Sequence, residues 1–395
     1  MNGVASAAGG RAAELAEKLR PALRDRAAEL DRDGAFPLAS LAELRAGGLM
    51  GLLVPTEHGG LGGGLADLTE VAQILAGGCL STAMVWAMHS QQVDSLVRFA
   101  APELAARVLP RIAAGEVLVA SVTTEPATGA RLTTATTPLG STGEGLSFER
   151  VAPVVTGGEH ADAFLITMRD SADAPDNRVT LVYADRDQVR CEQTSGWDAL
   201  GMRATRSIGM RLAGDVPADQ VVGGRGTYRT VAVESMIPLA HLAWAACWLG
   251  AARSAYADVI ALIRSRRRPG SLDPGSPLVA ERLARTRIDL ELVSAYLARV
   301  TDEVTAYRAE GRSLDSPDAQ IHLNTLKVAA AEHTFAAVDR LVKLAGLATG
   351  YLRSSAIPLE RHFRDLRSAT LNFSDDRLLA AIGGLAVMDR SVRLA

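Results

Sequence analysis

The chain has 395 residues, enough to bury a large core and to divide into two or three subdomains. Hydrophobic residues make up 48% and charged residues 22%, and 42 basic against 45 acidic side chains leave a formal charge of −3, which gives no bulk attraction to nucleic acid or to a membrane surface. Cys79, Cys191 and Cys247 lie far apart with no CxxC spacing, so neither a disulfide framework nor a zinc site is indicated. No signal-peptide core or uninterrupted apolar run of membrane-spanning length stands out, and the expected compartment is the cytoplasm.

Residues 1–115 read as a helical domain. "RAAELAEKLRPALRDRAAELDR" and "LADLTEVAQILAGG" carry apolar residues three and four apart among strong helix formers. Between them "GLLVPTEHGGLGGGL" supplies Pro55 and clustered glycines, which end a helix and form a loop. That loop lacks the preceding strand and surrounding βαβ unit of a phosphate-binding fingerprint, so nucleotide binding through it is not expected.

Composition changes near Gly115. Across residues 116–226, "EVLVASVTTEP", "RVAPVVTGG", "ADAFLITMR" and "RVTLVYAD" are short β-branched runs broken by Gly, Pro, Asp and Asn, the pattern of an antiparallel β domain. Residues 227–395 return to helix over roughly 229–267, 277–310 and 318–346, with a shorter segment from about 375. The turns "PGSLDPGSP" and "EGRSLDSP" carry Ser, Asp and Pro as caps and stops, and long helices joined this closely pack as an antiparallel bundle. The expected architecture is mainly α with a central β domain.

Seven histidines form no HExxH or paired-ligand motif, so no metal site is expected. Trp244 and Trp248, four apart on an apolar helix, read as core or pocket wall. In "SVTTEPATGA" a strand ends in Ser121, Thr123 and Thr124 before a proline and a small-residue turn, and "VVTGGEHAD" repeats the theme with Thr156. Each is a plain strand end or one side of a shared ligand site.

Taken in order, "GLMGLLVPTEHGGLGGGLADLTEVAQILAGGCLSTAMVWAMHSQ", "TTEPATGARL", "VVTGGEHADAFLI", "GWDALGMRATRS" and "GYLRSSAIPLERHFRD" resemble the acyl-CoA dehydrogenase superfamily over residues 40–365. The resemblance implies that family's fold: an N-terminal helical domain, a β-barrel-like middle domain and a C-terminal four-helix bundle. It also implies a homo-oligomeric flavoprotein using FAD or FMN, with the flavin between the β domain and the bundle. On that basis Thr123, Thr124, Gly129 and Ala130 belong to the loop that touches the flavin ring. Val154, Val155 and Thr156 match the next strand, where relatives carry Trp-Ile-Thr. Arg266, in "RRRPG", stands where the family holds a neighbour's FAD pyrophosphate, although Pro269 replaces its phenylalanine. Gly346 begins "GLATGY", an imperfect match to a Gly-Gly-x-Gly-Tyr region.

A thioester dehydrogenase needs a carboxylate to remove the α-proton. The family's usual glutamate position, eight residues past the pair resembling Arg364-Asp365, holds Phe373. Its alternative position at the start of the first bundle helix holds Ala240, beside His241. The resemblance therefore leans toward the superfamily's flavin-dependent monooxygenases, called group D. These lack the glutamate, take reduced flavin from a separate reductase, and insert oxygen into an aromatic, amine or sulfur centre. Their frequent histidine one position before the glutamate is Asn372 here, which hydrogen-bonds but carries no proton. His89 matches a first-domain histidine near the flavin edge, or else is a buried helix-end histidine.

On this reading His89 and Asn372 stand at the reacting edge, and Ser121, His241, Trp244 and Phe373 line the pocket for a small-molecule substrate. The competing reading is an acyl-CoA or acyl-carrier-protein dehydrogenase with Asp375 or Glu234 as a displaced base. Asp375 is equally the N-cap of "DRLLAAIGG". A third reading is a flavin-binding scaffold without activity.

Overall fold

The computed structural model describes residues 7–126, 131–143, 145–390 and 392–395. Five helices come first: α1 (Ala7–Asp33), α2 (Leu38–Ala46), α3 (Leu65–Gly78), α4 (Leu80–Phe99) and α5 (Pro102–Ala113). In α1 the residues at helical spacing, Ala12, Ala16, Leu23 and Ala27, are fully buried, as the apolar stripe requires. The glycine-rich loop before α3 folds onto its own chain. The N–H groups of Leu61, Gly62 and Gly63 donate to the carbonyls of Gly51, Val54 and Leu52, so they do not form an anion-binding nest.

Strands β1 (Val119–Val122), β2 (Gly140–Thr142), β3 (Gly145–Val155), β4 (Ala163–Arg169), β5 (Val179–Asp185), β6 (Val189–Ser195), β7 (Ile208–Pro217) and β8 (Val221–Val222) follow. They form two four-stranded sheets, ordered β1-β4-β5-β8 and β2-β3-β7-β6. β1 runs parallel to β4, with Val119 opposite Ala163, and the other pairings are antiparallel. Phe148, Phe164, Ile166, Met210 and Leu212 fill the core between the sheets.

The chain then returns to helix through α6 (Tyr228–Val231), a π-helical turn over Ala232–Met236, and α7 (Ile237–Arg264). α8 (Pro277–Ala309), α9 (Pro317–Gly346), α10 (Leu359–Leu366) and α11 (Asp375–Ala386) complete the bundle. α8 lies antiparallel to α9: Tyr307 near the end of α8 bonds to Asp318 at the start of α9, and Arg282 near the start of α8 reaches Lys343 near the end of α9. The segment Tyr228–Arg264 is long and apolar enough to cross a membrane, but 89% of its apolar window is buried inside the protein. It is the bundle's central helix, and its core continues into the N-terminal helices. The architecture is the mainly α, centrally β fold expected from the sequence.

Candidate active site

A cavity of about 560 Å³ opens where the β domain, α4, α7 and the segment 364–377 meet. From α4 come Met84, Met88 and Gln91, spaced to share one helix face. α7 contributes Ile237, Ala240, His241 and Trp244 at the same spacing. The π-helical turn ends at Met236, whose carbonyl accepts from the Gln91 amide at 2.8 Å, so the start of α7 is tied to α4 beside the cavity. A π turn at a ligand-facing helix start is a recurrent feature of functional sites.

The β-domain wall is hydroxylated. Ser121, Thr123, Thr124, Thr156, Thr205 and Ser207 all face the cavity. Thr156 and Ser207 share a hydrogen bond of 2.8 Å, and Ser207 joins Thr205 at 2.9 Å. Thr124 donates to the Val154 carbonyl at 3.0 Å, and Ser121 and Thr123 lie 3.4 Å apart. Beneath this wall the fully buried Arg150 pairs with Glu125 at 2.9 Å and donates to the Thr124 carbonyl at 3.2 Å. Desolvation is the largest influence on Arg150 and holds its pKa below the usual arginine value. The Glu125 carboxylate in turn accepts from the Thr136 and Thr137 N–H groups.

His241 is buried, and its Nδ1 lies 3.2 Å from the Leu323 carbonyl. Nδ1 therefore donates, which leaves Nε2 as an acceptor without a partner among the described residues, on a ring that lines the cavity. Burial pushes its pKa down to about 3, with the Lys327 charge adding to the effect and the Leu323 bond opposing it. The ring is neutral at physiological pH. Trp244 stands next to it, centroids 6.4 Å apart, and its buried indole N–H has no partner among the described residues.

Asn372 and Phe373 line the cavity from the segment 364–377. Phe373 has φ +53°, a left-handed conformation rare for an aromatic residue, and its ring lies 6.3 Å from that of His241. Arg364 and Asp365 anchor this side. Arg364 forks onto Asp31 at 2.8 and 2.6 Å and pairs with Glu360 at 2.7 Å, while Asp365 accepts from the Met202 N–H at 2.6 Å. Burial raises the Asp365 pKa to about 6.

Several expected site residues lie elsewhere. His89 is a core histidine: Nδ1 accepts from the Val119 N–H at 3.0 Å and Nε2 donates to the Met50 carbonyl at 3.1 Å. Both nitrogens are consumed, burial lowers its pKa to about 4, and it is outside the cavity wall. It fixes the start of β1, two residues before Ser121. Asp375 is also removed from the reacting edge, because Oδ1 is bound by the buried Lys327 ammonium. Glu234 accepts from Ser313 and from the Leu314 N–H, away from the cavity.

Val155 packs in the sandwich core, and Val154 faces the cavity instead, because the β3–β7 register slips between Ala152 and Val155. Arg266 is exposed past the end of α7, about 35 Å of helix beyond His241. Gly346 closes α9 at that same end of the bundle. Neither lines the cavity of its own chain. Gly129 and Ala130 fall outside the described residues.

Residues not anticipated from the sequence are Met84, Met88, Gln91, Thr205, Ser207 and Lys327. Met84, Met88 and Gln91 carry a helical-face signal, but only packing shows which face meets the cavity. Among the described residues lining the cavity there is no aspartate or glutamate. A hydroxylated wall facing methionine and aromatic side chains fits a planar heterocycle with one polar edge, and the cavity volume is in the range of small-molecule and cofactor sites. The residues present thus fit a flavin ring.

Comparison with known proteins agrees with this geometry. The description "Acyl-CoA dehydrogenase, N-terminal domain" matches residues 12–116, and "Acyl-CoA dehydrogenase, C-terminal domain" matches residues 242–374. The chain is 28% identical over 393 residues to the amino sugar nitrososynthase DnmZ of Streptomyces peucetius, covering 93% of this chain and 91% of that one. It is 21% identical over 371 residues to the mitochondrial isobutyryl-CoA dehydrogenase of Dictyostelium discoideum, covering 93% and 84%. The fold superimposes on FMN-bound TdsC from Paenibacillus sp. A11-2 with a TM-score of 0.86, at 22% identity and covering 96% and 98% of the two chains. Both halves of the helical scaffold and the flavin-sized cavity between them lead to one assignment: this chain belongs to the acyl-CoA dehydrogenase superfamily of flavin-dependent oxidoreductases.

Proposed function

We propose that the protein is a two-component flavin-dependent monooxygenase acting on a small amine, using FAD or FMN delivered in reduced form by a separate reductase. The observation that carries this reading is a cavity wall that, among the described residues, holds no carboxylate. Removing an α-proton from a thioester requires a base of suitable pKa within reach. Asp375 is bound to Lys327, Glu234 faces away, and His241 is too weakly basic for the task.

Reduced flavin, when bound, supplies the two electrons with which O₂ yields one oxygen atom for the substrate and one molecule of water. Thr123, Thr124, Thr156 and Ser207 would hold the polar edge of its ring, and the orphaned Trp244 N–H offers a donor from the opposite wall. The residues of the chain do the rest. His241 Nε2 accepts an N–H of the uncharged amine and turns its lone pair toward the reacting centre. Asn372 donates or accepts through its amide. Phe373, Met84 and Met88 exclude water, which strengthens each of these polar contacts. The likeness to an amino sugar nitrososynthase over nearly the full chain supports an amino sugar as the amine.

The test is a coupled assay with an NADH-dependent flavin reductase, FMN or FAD, an amino sugar and ¹⁸O₂. Incorporation of one ¹⁸O per oxidised nitrogen is expected. Anaerobic bleaching of bound oxidised flavin by isobutyryl-CoA, without ¹⁸O transfer in the coupled assay, would overturn the reading in favour of a dehydrogenase.

A further inference from the structure

The segment Ala369–Asp375 carries Asn372 and Phe373, yet its own backbone gives it little rigidity. The Leu371 and Asn372 N–H groups both donate to Ser368, the Asp375 N–H donates to Thr370, and Phe373 is held at φ +53°. One side chain from outside touches both ends of this segment. Lys327 on α9 is fully buried, and its ammonium donates to the Ala369 carbonyl at 2.9 Å and to Asp375 Oδ1. The same ammonium lies 5.6 Å from the centre of the Trp248 ring, and Trp248 packs on Trp244 with centroids 6.3 Å apart. A single cation thus contacts both walls of the cavity, the substrate-facing segment directly and α7 through a pair of indoles.

A buried ion pair is a poor device for stability, because desolvation offsets most of the attraction and apolar replacements are often neutral. This pair is incompletely satisfied even so, since Asp375 Oδ2 has no partner among the described residues. What the ammonium does offer is direction: several donors on one point charge can fix two oxygens that an apolar side chain would leave free.

We propose that Lys327 and Asp375 are positioning residues that clamp the segment Ala369–Asp375, so that Asn372 and Phe373 meet the substrate in one fixed geometry. This rests on the reading of the cavity as the substrate site, and its test keeps the two apart. Neither residue lines the cavity, so both act through the segment they hold.

The decisive variant is the double replacement Lys327→Met/Asp375→Asn, which removes both charges together and avoids stranding either one in the interior. Hydrogen exchange of the Asn372 and Asp375 amides is the primary readout, because it requires neither substrate nor flavin. Exchange about tenfold faster or more at these amides, with α9 and α10 amides unchanged, is expected. In the coupled assay KM for the amine rises about tenfold while flavin affinity, set by the β-domain wall, stays within about twofold. Wild-type exchange rates in the double variant would overturn the clamp. Should that variant not fold, the wild-type protein still decides: amides of the segment must be protected to the level of α10, and exchange as fast as an exposed turn sinks the proposal. If the exchange result holds but no oxygenation occurs with any amine, the functional reading fails and the clamp stands.

Discussion

The imidazole of His241 on α7 donates from Nδ1 to the carbonyl of Leu323 on α9 at 3.2 Å, and this bond determines which nitrogen faces the cavity. His241→Asn separates the two jobs of the ring. The asparagine amide reaches about as far as Nδ1 and retains the bond to Leu323, but nothing replaces the acceptor at Nε2. The variant is expected to melt within about 1 °C of wild type, a cost below about 1 kcal/mol, and to lose roughly 10- to 100-fold in kcat/KM for the amine, the effect of one unmade hydrogen bond. Thermal melting and the reductase-coupled assay check both halves.

Three buried histidines make the fold acid-labile. Burial lowers His241 and His362 to about 3 and His89 to about 4, so the native state requires all three neutral. A depressed folded pKa gives stability that is complete above the unfolded value near 6.5 and is lost as pH falls toward the folded value. Asp365, raised to about 6, and Asp375, also raised by burial, act in the opposite direction, while the lowered carboxyls of Glu43, Glu125, Glu159, Asp170 and Asp318 act with the histidines. At pH 4 each of the two lowest histidines costs roughly 3 kcal/mol. Melting temperatures should therefore drop steeply between pH 6.5 and 4. His362 Nδ1 has no partner among the described residues, so His362→Leu removes a titrating group without breaking a bond at that atom. Its Tm–pH slope should be shallower than that of wild type, and an equal slope would count against this account.

Arg150 and Glu125 form a pair under the hydroxylated wall. Arg150→Met leaves the Glu125 carboxylate and the Thr124 carbonyl short of a donor in a buried setting. A loss of about 3 kcal/mol in urea unfolding is expected, together with weaker flavin binding in a fluorescence titration. The neutral pair Arg150→Met/Glu125→Gln should recover most of the stability and less of the flavin affinity, because Thr124 still lacks its anchor.

Much of this arrangement is legible in the sequence where periodicity or a motif carries it. Helical spacing locates the bundle helices, β-branched runs locate the sandwich, and counting on from Arg364-Asp365 places a phenylalanine where a carboxylate would stand. What sequence cannot give is the direction a side chain takes in the tertiary fold. His89 looks the same whether it lines a flavin or packs beneath β1; here the Val119 N–H and the Met50 carbonyl decide. Val154 faces the cavity and Val155 the core because a register slip between Ala152 and Val155 breaks the alternation of β3. Lys327, in "NTLKVAAAEH", reads as an ordinary surface lysine, and only the packing of α9 under the 369–375 segment buries it. Arg266 and Gly346 lie at the same end of the bundle, a placement set by the antiparallel helices rather than by local pattern.

The loop that carries Trp197 to Ser207 along the cavity depends on one close approach. A Cβ on Gly201 would lie 2.1 Å from the Arg364 carbonyl oxygen and 2.6 Å from the Asp365 nitrogen, both backbone atoms of α10. α10 has no freedom to retreat, because Arg364 is forked onto Asp31 and Asp365 holds the Met202 N–H. The loop must therefore move, taking Met202, Thr205 and Ser207 with it. Gly201→Ala is expected to cost about 2 kcal/mol, in the range of overpacked cores, and to weaken flavin binding through the displaced hydroxyls. Gly196, in the same loop, has nothing within 4 Å of its would-be Cβ, so Gly196→Ala is the matched control and should be neutral in both measurements. Equal urea midpoints for the two variants would mean that the loop does not touch α10 as described, and the Thr156–Ser207–Thr205 wall would lose its support.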